Sequence, residues 1–238
     1  MDKKSSGKDI RKEVKRIISV LKKQAVPENR EGMARYGIEV KYALGVSIPF
    51  LRKIAKETGR NHELALKLWD TKIHEARILA GYIDDPGAVT EGQLEFWVRD
   101  FNSWDLCDQV CHLFEESRFA RKKCVEWSSR KEEFVKRTAF SLMAAMAVHD
   151  KKSDDKEFVK FFPLIKRAAV DERNYVRKAV NWALRNIGKR NPGLNKAAIK
   201  LAEEIKILDS KTAKWIASDA LRELKSSTVQ ERIKRAAG

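Results

Sequence analysis

The sequence predicts an all-α protein built from antiparallel helix pairs. Three observations carry this: nearly every segment repeats its apolar residues at helical spacing, β-rich runs between turn signals are missing, and the connections are short throughout. After a short polar tail, helices are expected at about 8–24, 28–36 and 47–57, the last opened by Ser47 with Pro49. Next come 61–69, 73–83 closed by Asp84-Asp85-Pro86-Gly87, 90–100, and 103–115 with Ser103 as its cap. Helices at 118–127, 131–148, 154–169 and 173–190 follow, the last ended by Asn191-Pro192-Gly193. The chain finishes with 194–207, 210–224 and a short helix after Ser227.

Many helices of this length joined by tight turns form either a compact bundle or a solenoid of stacked pairs. A pair here takes roughly 30 to 40 residues, close to the HEAT and armadillo period, which favours the solenoid. The expected architecture is therefore a HEAT-like/ARM-like α-α superhelix with a basic concave face. Residues 1–7 are read as a disordered basic tail, and 8–238 as a single helical-repeat domain. The 238 residues suffice to bury a core without disulfides. Fifty Lys+Arg against thirty-four Asp+Glu leave a net charge of +16 and a pI near 9.8, which makes nucleic acid or an anionic surface the leading partner class. Three cysteines, Cys107, Cys111 and Cys124, are too few and too odd in number for a secreted disulfide framework. No signal-peptide stretch opens the chain and no run of about 18 apolar residues occurs, so a cytoplasmic protein without a membrane segment is expected.

Three helices carry large or charged residues on the wrong side. In NYVRKAVNWALRNIGKRNP, Val176, Ala179, Val180, Ala183, Leu184 and Ile187 form the apolar stripe. Trp182 falls roughly 130° from its centre, among Lys178, Arg185 and Lys189. In NSWDLCDQVCHLF, Leu106, Val110, Leu113 and Phe114 read as core, whereas Trp104 and Asp108, at i and i+4, point away. In EEFVKRTAFSLMAAMAVHD, Arg137 lies nearly opposite Val135, Ala139, Leu142, Met143 and Met146, and the small Ser141 and Ala144 beside it leave its guanidinium room to reach a phosphate. A concave face would gather Trp104, Asp108, Arg137 and Trp182 onto one surface. Each tryptophan alone fits packing beneath a neighbouring helix equally well, and a lone Asp on a polar helix face is usually a solvated acid. Asp105 is the competing carboxylate, about 100° round the helix from Trp104. Trp69, Trp97, Trp127 and Trp215 read as core or inter-helix residues without a function.

Four segments in order, YALGVSIPFLRKIAK, SWDLCDQ, KRTAF and YVRKAVNWALRNIGKRNP, resemble the HEAT-repeat DNA alkylation repair glycosylases of the AlkD type. The resemblance spans most of the chain. It implies that Asp108 is catalytic, that Trp104 and Trp182 form an aromatic cleft, that Arg137 holds DNA and that Tyr36 is a further cleft residue. Lys178, Arg185 and Lys189 are expected to hold phosphates. The implied activity is a monofunctional glycosylase that excises cationic N3- or N7-alkylated purines from double-stranded DNA. The lesion is approached from the backbone side without a closed base pocket, and an abasic site is left. The charged stretch HDKKSDDKE at 149–157 departs from the shorter family pattern.

No cofactor is implied, and the protein is expected to act as a monomer. Cys107, Cys111 and His112 do not make a metal set, because Cys107 points to the apolar stripe and a closed zinc site needs four convergent ligands. No Gly-rich phosphate loop, GxSxG or HExxH occurs. Two other functions fit the same composition: a non-catalytic HEAT-repeat protein that binds damaged or branched DNA, and a HEAT-type interaction scaffold whose basic face meets an acidic partner.

Overall fold

The computed structural model describes residues 3–235, with side chains from Asp9 onward, and it is all α, with fifteen helices among the described residues. The span expected as one domain divides into two compact units, Met1–Arg118 and Phe119–Gly238. None of the helices in the described residues is long and apolar enough to cross a membrane.

The first unit holds α1 (Lys3–Lys23), α2 (Pro27–Arg35), α3 (Ile48–Thr58), α4 (His62–Trp69), α5 (His74–Ile83), α6 (Glu91–Arg99) and α7 (Trp104–Glu116). Residues 3–7, read as tail from sequence, belong to the first turns of α1, while Met1 and Asp2 lie outside the described residues. One layer is α1, α4 and α6, in which Trp69 and Trp97 stack face to face with centroids 4.1 Å apart. The other is α3, α5 and α7, lying side by side in the same direction. Its register is fixed by bonds between residues 31 positions apart, Leu44 N–H to Glu75 and His74 to Asp105.

The turn leading into α3 is built around one buried acid. The Glu75 carboxylate, 1% exposed, accepts the backbone N–H groups of Leu44 (2.9 Å), Gly45 (2.7 Å) and Val46 (3.2 Å). This satisfies three donors that a buried turn would otherwise leave orphaned. Gly45 adopts φ +81°, and a Cβ there would stand 2.2 Å from the Val26 carbonyl oxygen, so only glycine lets the turn close against the start of α2. Asn29 Nδ2 donates to the Gly45 carbonyl at 2.8 Å and ties α2 to the same turn.

The second unit holds α8 (Ala120–Ser128), α9 (Glu133–His149), α10 (Asp155–Val159), α11 (Phe162–Ala168), α12 (Asn174–Gly188), α13 (Pro192–Lys206), α14 (Lys211–Leu224) and α15 (Ser227–Arg235). Its period is longer. Lys166 bonds Glu204, Asn181 bonds Asp219 and Arg185 bonds Glu223, each pair 38 positions apart. A constant offset with rising position means that α12 and α14 run the same way, as successive repeats of a HEAT array do. The stripe expected for α12, from Val176 to Ile187, is fully closed to solvent, as is the Leu106–Phe114 stripe of α7.

Three expectations are corrected. The helix read over 154–169 is two, because Pro163 has no N–H to give and its ring would collide with the Val159 carbonyl; it opens α11 instead. Asn191-Pro192-Gly193 ends α12 but also starts α13, two residues earlier than expected, with Asn191 Oδ1 accepting Leu194 N–H at 2.8 Å. Ser103 occupies the N-cap of α7 without a side-chain capping bond, and its side chain is buried. The charged stretch at 149–157 forms a tied turn. Asp150 accepts Lys152 N–H, Ser153 N–H and Arg121, and Asp155 accepts Asn191 Nδ2.

Candidate functional site

Trp104 is the first residue of α7, with Asp108 one turn further along the same face, and both are half-buried. The Trp104 indole N–H donates to the Tyr36 carbonyl at 2.9 Å, which joins two of the expected site residues across 68 positions of sequence. That carbonyl is presented by the end of α2. Gly37, at φ +74°, turns the chain so that its N–H meets Ala34 O and the Ile38 N–H meets Met33 O, a Schellman closure. The Tyr36 ring stands 74% exposed beside it. Next to Asp108, Gln109 accepts the Tyr82 hydroxyl, and Arg52 lies over the Tyr82 ring at 6.0 Å. This Arg52–Tyr82–Gln109 row across α3, α5 and α7 escaped the sequence reading, because no local spacing links its members.

The two acids of this helix separate by environment. Asp105 is buried and bonded to His74 Nε2 at 2.7 Å. Burial works against both charges, but each partner outweighs it: His74 titrates above its ordinary value and Asp105 below its own. Asp105 is thus an internal ion-pair partner, while Asp108 keeps a solvent-facing side. The pair also sets a pH signature. His74, raised on folding, contributes stability that is complete below its unfolded value of about 6.5 and fades as pH climbs through the folded one. Asp105, lowered on folding, contributes above about 3.9 and fades as pH falls through its folded value. Asp105→Asn should therefore lower the melting temperature most near about pH 6, and the gap from wild type should narrow as the pH rises beyond the ordinary histidine range. A gap constant across that range in thermal melts would contradict the assignment.

In the second unit, Trp182 is half-buried on α12, off the core stripe, and Lys178, one turn before it, is exposed. The rest of that face differs from expectation. Arg185 bonds Glu223 and approaches Asp219 at 3.4 Å, and Lys189 bonds Glu223 at 2.7 Å. Both cations are already neutralised by α14, which packs against this side of α12. Glu223 is held below the usual carboxylate range, since Lys189 and Arg185 together outweigh its burial. Arg137 is only 5% exposed and donates from Nη1 to the Tyr175 carbonyl at 2.8 Å. The open surface expected for it is absent because α9 is packed by α8 on one side and α12 on another. Its small residues serve that contact: Asn186 Nδ2 reaches the Ala144 carbonyl at 3.3 Å.

The remaining tryptophans divide. Trp69, Trp97 and Trp127 are core, as expected, whereas Trp215 on α14 is 42% exposed beneath the Arg177 guanidinium. Chemically, a carboxylate beside an indole face can oppose a developing cation and orient water.

No curated protein matches the chain. Among solved structures, one described as "a new family of proteins related to the HEAT-like repeat DNA glycosylases with affinity for branched DNA structures" is similar with a TM-score of 0.74 at 20% identity, over 87% of this chain and 94% of that one. An engineered protein (TM-score 0.38, 13% identity, 74% and 91% covered) and a designed armadillo repeat protein (TM-score 0.36, 15% identity, 74% and 92% covered) are also similar. The first likeness shows the fold, a HEAT/ARM-like helical array. The profile of the DNA alkylation repair enzyme family matches residues 17–224, from within α1 to the end of α14, and the chain belongs to that family.

Proposed function

We propose that this protein is a DNA glycosylase that hydrolyses the N-glycosidic bond of cationic N3- or N7-alkylated purines in duplex DNA. The observation that carries this reading is the Trp104–Asp108 turn of α7, a half-buried carboxylate one helical turn from an indole clamped by the Tyr36 carbonyl. An alkylated purine already bears positive charge, so it leaves without being protonated. The C1′–N9 bond breaks with its electron pair going to the base, which becomes neutral. Asp108 opposes the charge that develops on the deoxyribose and accepts the proton of the water that attacks C1′. Trp104 offers its π face to that cation, at about 0.5 to 2 kcal/mol. Tyr36 adds a further exposed ring. The product is an abasic site, with no cut strand and no metal or cofactor required.

Lys178 is proposed to contact DNA from its exposed position, while the buried Arg137 braces the start of α12 through the Tyr175 carbonyl. Arg185 and Lys189 take a lesser part than the sequence suggested, because engaging phosphate means giving up Glu223. Each phosphate neutralised adds about 0.9 to the slope of log K against log salt. Lys178→Ala should then lower that slope by about 0.9, while Lys189→Ala leaves it nearly unchanged. Equal losses for the two variants would restore Lys189 as a phosphate ligand.

The function is tested by incubating the protein with duplex DNA carrying either a cationic 7-methylguanine or a neutral O6-methylguanine and measuring free base. Release of the first alone supports the proposal; release of neither overturns it. A second reading, binding of branched DNA without excision, is favoured by the affinity ascribed to the solved structure of similar fold. It predicts tight binding of a junction and no free base.

A further inference from the structure

On α14, Trp215, Lys211 and Lys214 stand with Arg177 of α12 in an aromatic and basic cluster that the chemistry above does not use. The buried face of α14 is formed by Thr212, Ala213, Ile216, Ala217, Ala220 and Leu224, and Trp215 stands off it in solvent. The Arg177 guanidinium lies over its ring at 5.2 Å and is steadied by a bond from Nη2 to Asn174 Oδ1 at 3.1 Å. Lys211, one turn before Trp215, and Lys214, adjacent to it, are both exposed, as is Lys178 beside Arg177. Of the carboxylates nearby, Asp219 bonds Asn181 and Arg222, and the exposed Asp209 makes only a loose ion pair with Lys214, at 4.0 Å. An indole held at the surface under one guanidinium, with exposed lysines at 178, 211 and 214 on the same two helices, matches the alternation of sugar and phosphate along a nucleic-acid strand. The parallel register of α12 and α14 places Trp215 one repeat beyond the helix that carries Trp182.

We propose that Trp215, together with Arg177, Lys178, Lys211 and Lys214, is a second DNA contact that grips the sugar–phosphate backbone of the duplex flanking the lesion. The lysines neutralise phosphates and the indole packs on a deoxyribose. This rests on the DNA-binding part of the proposed function and not on excision. Its contribution is to affinity and register, so base release at saturating DNA is unaffected.

The test is fluorescence anisotropy of a labelled, undamaged duplex with the full chain, titrated at several salt concentrations. Trp215→Ala should weaken binding about five- to tenfold, Trp215→Phe should retain most of the affinity, and Lys211→Gln/Lys214→Gln should reduce the salt slope by about 1.8. The last two variants leave the buried face of α14 intact, and their melting temperatures should match wild type. A wild type that binds, with all three variants equal to it in Kd and slope, overturns the second contact and leaves the glycosylase reading standing. A wild type that does not bind duplex DNA at low salt overturns both.

Discussion

Asp108→Asn should abolish release of alkylated purine while leaving duplex binding intact. The substitution keeps the volume and hydrogen-bonding reach of the side chain and removes only its charge. Losing one preorganised electrostatic stabiliser typically costs about 10² to 10³ in rate, and here the same group also takes the proton from water, so the loss lies at or beyond the upper end. Asp105→Asn, three positions earlier on the same helix, is the internal control. Its carboxylate is spent on His74, so its replacement shifts stability and leaves the chemical step within about tenfold. Single-turnover rates for the two variants separate the acids. Equal losses would mean that Asp108 acts only through the packing of α7.

The largest effect on stability is expected at Glu75. Replacing it by Ala leaves the N–H groups of Leu44, Gly45 and Val46 buried without an acceptor, for a loss of about 3 to 5 kcal/mol. For a chain of this size, this corresponds to a fall in melting temperature of roughly 10 °C. Glu75→Gln keeps one carbonyl oxygen for the turn but turns an NH2 toward donors, so it loses less than Ala and more than a surface change. The consequence reaches the site. The turn, α2 and Tyr36 share one run of hydrogen bonds through Asn29 and Gly45, and Tyr36 holds the Trp104 indole. Glu75→Gln should therefore lower base release at temperatures where the fold persists. Urea unfolding that places Glu75→Ala within about 1 kcal/mol of wild type would contradict the turn's dependence on this acid.

Which of these features could be read from the sequence depended on the range of the interactions. The stripes of α7 and α12 were legible because each helix buries one principal apolar face, which 3.6-residue spacing reports directly. For α9 the same spacing located Val135, Ala139, Leu142, Met143 and Met146 in the core but misplaced Arg137, since a helix enclosed on several sides has no polar face for periodicity to find. The cations of α12 were visible, but Glu223, which neutralises two of them, lies on another helix 38 and 34 positions away. The repeats recur as an offset of contacts, 31 positions in the first unit and 38 in the second, which only the folded chain displays. Trp104 and Asp108 stood out because both were local to one turn. The bond from Trp104 to the Tyr36 carbonyl did not, because a backbone acceptor leaves no mark on side-chain pattern. Trp215 was read as packed because a lone tryptophan off the main stripe of a repeat helix usually is.

The measurement that tests the central claim most directly is a single-turnover assay of wild type and Asp108→Asn on a duplex carrying one 7-methylguanine, with free base, abasic sites and bound fraction quantified in the same reaction. The account predicts free 7-methylguanine and an equal yield of uncut abasic strand from wild type, and bound but unreacted duplex from the variant. Full binding by both proteins with no free base from either would contradict it and identify a family member that recognises DNA without excising from it.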